Sequence, residues 1–76
     1  MATYNGHKNW NHWNVSLWLN NDEVLYHIMK RAVSFSVDRD DAIRTLLESL
    51  GSVGITHTPD GAPYSKSAIR SAMVGL

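Results

Sequence analysis

Two runs of apolar residues at helical spacing constrain this chain more than any other feature. Val24, Leu25, Ile28, Met29, Ala32 and Val33 recur as i, i+1, i+4, i+5, i+8 and i+9. Ala42, Ile43, Leu46, Leu47 and Leu50 form a second stripe shortly after. Both runs carry end signals. Asn21-Asp22-Glu23 reads as a capping amide followed by two acids at the positive end of the dipole. In Ser34-Phe35-Ser36-Val37, small polar and β-branched residues halt the first run. Asp38, with Asp41 three residues on, starts the second as a capping-box analogue, and Gly51 follows Leu50 where a left-handed residue closes a helix. Two such helices must bury their stripes within a chain of 76 residues. A domain this small buries only about 60% of the surface its unfolded chain exposes. It has no cysteine to staple it, so helix packing must supply the stability. The same absence removes thiol nucleophiles and thiolate zinc sites and fits a reducing compartment.

The flanking segments complete the fold class. Trp10, Trp13, Leu17 and Trp18 fall at i, i+3, i+7 and i+8, which predicts a first helix with these four on one face. Asn9 or Asn11 caps its start and Asn20-Asn21 ends it. Val15 also permits a two-residue period over Trp13, Val15 and Leu17, so a strand is the alternative. After the second stripe, Val53, Ile55 and His57 alternate with small residues, and Thr58-Pro59-Asp60-Gly61 is a turn: Pro presets φ and Gly accepts a positive one. A short β-hairpin is therefore expected near residues 53–64, with Pro63 confining its return arm to an edge. Ser65 caps a last helix carrying Ala68, Ile69, Ala72 and Met73 on one side and ending at Gly75-Leu76. The expectation is a mainly α, compact single domain over residues 1–76, with three to four helices and one hairpin. Its expected core is Trp13, Leu17, Leu25, Ile28, Met29, Ile43, Leu46, Leu47, Leu50 and Ile69.

Charge and motif content narrow the function. Seven Lys and Arg balance seven Asp and Glu, which disfavours both a polycation for nucleic acid and a polyanionic mimic of it. No run approaches the roughly 20 apolar residues of a membrane span, and Met1 to Gly6 lacks the basic start and apolar run of a signal peptide. A cytoplasmic address is the expectation. His7 and His12 stand five apart, and His27 and His57 belong to other elements. No pair has the i, i+4 spacing of a helical zinc site, so each histidine reads as a surface or hydrogen-bonded structural residue. The chain contains no G-x-S-x-G elbow and no glycine-rich phosphate loop. Asp38, Asp40 and Asp41 are explained by a helix start. Neither an enzyme nor a bound cofactor or metal is expected.

Three tryptophans within nine residues are the compositional oddity. Each buries ~150–250 Å², which suits a core, yet Trp is also favoured as an interface anchor. Trp13 and Leu17 are expected in the core, with Trp10 and Trp18 more open to solvent. Asn5, Asn9, Asn11, Asn14, Asn20 and Asn21 are expected to cap and brace this region. Lys66 and Arg70, four apart on the last helix, share its outer face with no acid after Asp60. They read either as a solvated face or as a contact to phosphate or an acidic partner. Trp10, Tyr64, Lys66 and Arg70 are accordingly the candidate partner-binding residues.

Two stretches carry resemblances. Tyr4-Asn5-Gly6, Asn9, Trp13-Asn14-Val15 and Leu17-Trp18 spell Y-N-G-x-x-N-x-x-x-W-N-V-x-L-W. This resembles the opening of small uncharacterised proteins carried by phages and other mobile elements. Gly54, Ile55, Thr58, Pro59, Gly61, Tyr64, Ser65, Ile69 and Arg70 are similar to the helix–hairpin–helix in the recombinase domain of large serine recombinases. That recombinase segment is strongly basic, whereas this one is nearly neutral, and a shared turn before a Ser-capped helix accounts for most of the match. The first resemblance implies a phage-type accessory protein that binds and occludes a host protein or defence complex, a CRISPR effector among them, as anti-CRISPR and other anti-defence proteins do. The second implies a small DNA-binding module that uses the hairpin and last helix, its contacts including Lys66 and Arg70. A structural or self-assembling phage component is the third reading.

Overall fold

The computed structural model describes residues 8–74. Tyr4-Asn5-Gly6, His7 and the expected chain end at Gly75-Leu76 lie outside the described residues. Four helices build a small, mainly helical domain: α1 (Trp10–Asn21), α2 (Glu23–Phe35), α3 (Arg39–Ser52) and α4 (Lys66–Ala72). α1 packs chiefly on α4 and α2 on α3, and α1 also packs along α2.

Asn9 caps α1, its side-chain oxygen accepting from the His12 amide at 3.0 Å. The helix turns a different face inward from the one its apolar spacing predicts. Val15 and Leu19 are fully buried, flanked by buried His12 and Asn14. Leu17 is 39% exposed and Trp13 half-buried, and of the four predicted residues only Trp18 packs against the core. The physical reason is that α1 is apolar on both sides, so hydrophobic spacing cannot orient it. Its rotation is set by polar side chains that need partners elsewhere in the fold.

One residue joins α1 to α2. Asp22 donates its backbone N–H to the Trp18 carbonyl at 3.0 Å and accepts the Leu25 amide on Oδ1 at 3.0 Å. The α2 cap is thus Asp22 rather than the expected Asn21, which remains in α1 and donates its amide to the Leu17 carbonyl. Leu25, Met29 and Ala32 are buried, Ile28 and Val33 lean against the core, and Val24 faces solvent.

Asp38 caps α3, accepting from the Asp41 amide at 2.8 Å. The Asp41 carboxylate reaches back to the Val37 amide at 3.3 Å, one residue before the cap. Ala42, Ile43, Leu46 and Leu50 are buried and Leu47 packs beside them. The helix does not stop at Gly51. It runs to Ser52 and closes on Gly54 at φ 78°, with Gly54 N–H on the Gly51 carbonyl (3.0 Å) and Ile55 N–H on the Leu50 carbonyl (2.9 Å). These two bonds are the Schellman closure, and Ile55 packs against the core as that motif requires.

The expected hairpin contracts to a single antiparallel bridge between His57 and Pro63. Pro63 has no N–H to extend a ladder. Thr58 N–H on the Ala62 carbonyl (2.8 Å) and Tyr64 N–H on the Thr56 carbonyl (3.1 Å) hold the two arms. The turn between them closes by Gly61 N–H on the Thr58 carbonyl at 2.8 Å, with Gly61 at φ 97°. Ser65 then caps α4 through the Ala68 amide. Ala68, Ile69, Ala72 and Met73 are buried, the two alanines being small enough for α1 and α4 to approach closely. At the far end of α4 the Arg39 guanidinium donates to the Met73 carbonyl at 2.8 Å, a cation on a helix C-terminus.

Candidate functional site

The polar residues of α1 take their partners from the loop between α3 and α4. Asn14 Nδ2 and Trp18 Nε1 both donate to Asp60 Oδ2, each at 2.9 Å. Thr58 Oγ1 donates to Asn14 Oδ1 at 2.5 Å and accepts the Ala62 amide at 3.0 Å. Asn14 and Thr58 are buried, so this clamp satisfies groups that would be costly to leave unpaired. The Asn14 bond and then the Trp18 bond hold the Asp60 carboxyl below its usual range, against a smaller opposing effect of burial. Asn11 donates to the Pro63 carbonyl at 3.2 Å, and His12 Nε2 meets Ser67 Oγ at 3.1 Å. The asparagine-rich stretch therefore fixes α1 to the loop and to α4.

Held this way, the loop forms one wall of a groove of about 410 Å³ at the α1–α2 corner. Trp18, Asp22, Val24 and Leu25 line one side. Ile55, His57, Pro59 and Tyr64 line the other. The lining is mostly apolar and contains one carboxylate, Asp22. A concave apolar surface with a few convergent polar groups is the usual form of a binding site. Tyr64 is buried, and burial first, then the nearby Asp22 charge, pushes its phenol pKa above the ordinary value. Trp18 and Asp22 also line an adjoining depression with Leu17 and Asn21.

The four sequence-predicted contact residues do not meet at one place. Tyr64 belongs to the groove, as part of its wall rather than as a protruding ring. Trp10 is exposed at the start of α1 and lines neither the groove nor the depression beside it. Lys66 and Arg70 are exposed but line a separate cavity with Asp38, Asp40 and Asp41. The acid that α4 lacks locally comes from α3: Arg70 pairs with Asp40, while Arg44 pairs with Asp41 and, at 3.8 Å, with Glu48. Half of the cation surplus expected there, Arg70, is thus met by a tertiary contact. Of the groove lining, only Tyr64 was among the candidate contacts; Trp18, Asp22, Val24, Leu25, Ile55, His57 and Pro59 were not, nor was the bracing pair Asn14 and Asp60. Pro-Asp-Gly and the asparagine row were visible signals, but their mutual bonding spans more than forty residues.

Among the described residues, no three His, Asp or Glu side chains gather as metal ligands, and no helix is long and apolar enough to cross a membrane. His27 and His57 are exposed, the latter bonded through Nδ1 to Thr56 Oγ1 at 2.9 Å. Comparison with curated proteins and with solved structures gives no match. A family model does match, over residues 1–75, and the chain belongs to that family of unknown function, DUF7249.

Proposed function

We propose that this protein is a small accessory binder that covers a surface of a host protein or complex and blocks it stoichiometrically, in the manner of anti-defence and anti-CRISPR-like proteins. The observation that carries this reading is the preformed groove between Trp18 and Tyr64, braced by bonds from α1 to the loop. A surface ordered before binding loses little freedom on association. The N-terminal motif's resemblance to phage and mobile-element proteins supplies the biological setting, the cytoplasm of a bacterial host, and the class of partner. A standard interface of ~800 Å² per partner is about a sixth of the 4792 Å² this molecule exposes, so the surface around the groove is large enough to carry one.

A DNA-binding module has less support. Arg44 and Arg70 are engaged by α3 carboxylates, and formal net charge is zero. On α4 that leaves Lys66 as the cation without an acid partner among the described residues, too little for a phosphate-binding face of its own. The test is capture of partners by the tagged protein from a nuclease-treated bacterial lysate. Two variants run alongside: Val24→Lys in the groove, and Lys66→Glu with Arg70→Glu on α4. The proposal expects a near-stoichiometric host protein that survives nuclease, is kept by the α4 double variant and is lost by Val24→Lys. An empty capture, with purified protein shifting duplex DNA unless Lys66 and Arg70 are replaced, overturns it in favour of DNA binding.

A further inference from the structure

The electrostatics of the groove say what kind of group it takes. Asp22 contributes its only carboxylate, and no Lys or Arg is among the lining residues. One Asp22 oxygen, Oδ1, is spent on the α2 cap. Its carboxylate charge nonetheless reaches Tyr64 across the groove. Trp18, the aromatic neighbour of Asp22 in both the groove and the adjoining depression, donates its indole N–H to a second carboxylate, Asp60. Trp18 thus has one acid bonded to its ring edge and another lining the same groove. A negative ring face flanked by carboxylates attracts a cation. Elsewhere in the molecule the same chemistry is met internally: Lys30 Nζ stands 6.0 Å from the Tyr26 ring centroid. Trp18 and Tyr64 have no such cation among the described residues.

We infer that the groove receives an arginine side chain of the partner polypeptide, its guanidinium on the Trp18 ring and paired with the Asp22 carboxylate. A guanidinium is planar and weakly hydrated, so it stacks on an indole while donating to a neighbouring carboxylate. Lysine's compact, strongly hydrated ammonium does only the second well. The apolar remainder of the groove, Val24, Ile55 and Pro59, suits the arginine stem and a flanking apolar residue of a peptide. This inference rests on the groove-binding reading above and specifies the partner's chemistry.

The test uses the intact chain and a capped pentapeptide, acetyl-Gly-Leu-Arg-Leu-Gly-amide, against its citrulline and lysine counterparts. Citrulline keeps the shape of arginine and removes the charge. The readout is the indole N–H resonance of Trp18, assigned by its loss in Trp18→Phe. Binding in the millimolar range is expected for so small a probe, with citrulline about tenfold weaker and lysine severalfold weaker than arginine. Asp22→Asn is expected to weaken the arginine peptide about tenfold while leaving the helical circular dichroism unchanged, because Asn caps a helix as well as Asp. Equal titration by the citrulline peptide, or an Asp22→Asn variant that binds as before, overturns the inference. A Trp18 resonance unmoved by the arginine peptide does so too. The two readings fail separately. Lysate capture that survives Val24→Lys removes the groove itself. Capture lost in that variant, with no response to the arginine peptide, removes only the arginine.

Discussion

Replacing Thr58 by Val keeps the shape of a buried side chain and deletes two hydrogen bonds at once. The hydroxyl donates to Asn14 Oδ1 and accepts from the Ala62 amide, and both Asn14 and Ala62 are at most 1% exposed. Neither group can turn to water in place. Each buried polar group left unpaired costs about 1–3 kcal/mol, so the pair costs about 2–4 kcal/mol after partial relaxation. A domain of this size has roughly 4–11 kcal/mol in total. The loss corresponds to a melting temperature lower by about 12–25 °C. Urea unfolding followed by tryptophan fluorescence measures it, provided the dependence on urea concentration is unchanged between variants. Thr58→Ser, which retains the hydroxyl and loses only a methyl, is the control and is expected to cost about 1 kcal/mol. A Thr58→Val variant within about 0.5 kcal/mol of the parent refutes the claim that this clamp holds the loop.

Two glycines three residues apart are expected to respond in opposite directions. Gly51 is helical with open space at its Cβ position, so Gly51→Ala is expected to stabilise by about 0.5–1 kcal/mol. Gly54 also has open space but sits at φ 78°, so Gly54→Ala is expected to destabilise by about 1–2 kcal/mol, both values being read from urea midpoints. The Asp60 carboxyl has its pKa lowered in the folded state, so the unfolded chain takes up its proton first as pH falls. Its contribution is therefore fully present above the ordinary carboxylate value, shrinks below it, and is gone once pH passes the lowered folded value. Urea midpoints from neutral to acid pH are expected to show this fall in the parent and not in Asp60→Asn.

Helices α2 and α3 were legible because each has one apolar face, and the period of that face says which way the helix turns. The last helix, α4, was legible for the same reason, with Ser65 marking its start. The first was legible as a helix but not in its orientation. Trp10, Trp13 and Leu17 share a face as their spacing implies, yet Val15 and Leu19 on the opposite side are the buried pair. What decides between the faces is Asn14 finding Asp60 and Thr58, and no local pattern records a bond across so much chain. The same holds for Arg70, whose neutralising acid lies on α3. At Gly51 the local rule was sound but applied to the wrong glycine, because Gly54 offers the same chemistry three residues later. The groove was half legible: Tyr64 was singled out, while Trp18 and Asp22 join it only when the α1–α2 corner meets the loop.

The bonds from α1 to the loop and α4 also bear on when the protein can fold as it is made. Synthesis delivers α1 first, but Asn14 and Trp18 wait for Asp60, and His12 waits for Ser67. The α2–α3 hairpin emerges in between, its two helices able to pack on each other while the side that meets α4 stays open. Chains generally fold as whole units during synthesis at about 5–20 residues per second. Here the unit closes only when residues near its far end have arrived, several seconds after its first helix. During that interval the nascent chain carries a core open on its α4 side and no groove. Both the exposure to chaperones and the ability to engage a partner are thereby set by the synthesis of α4.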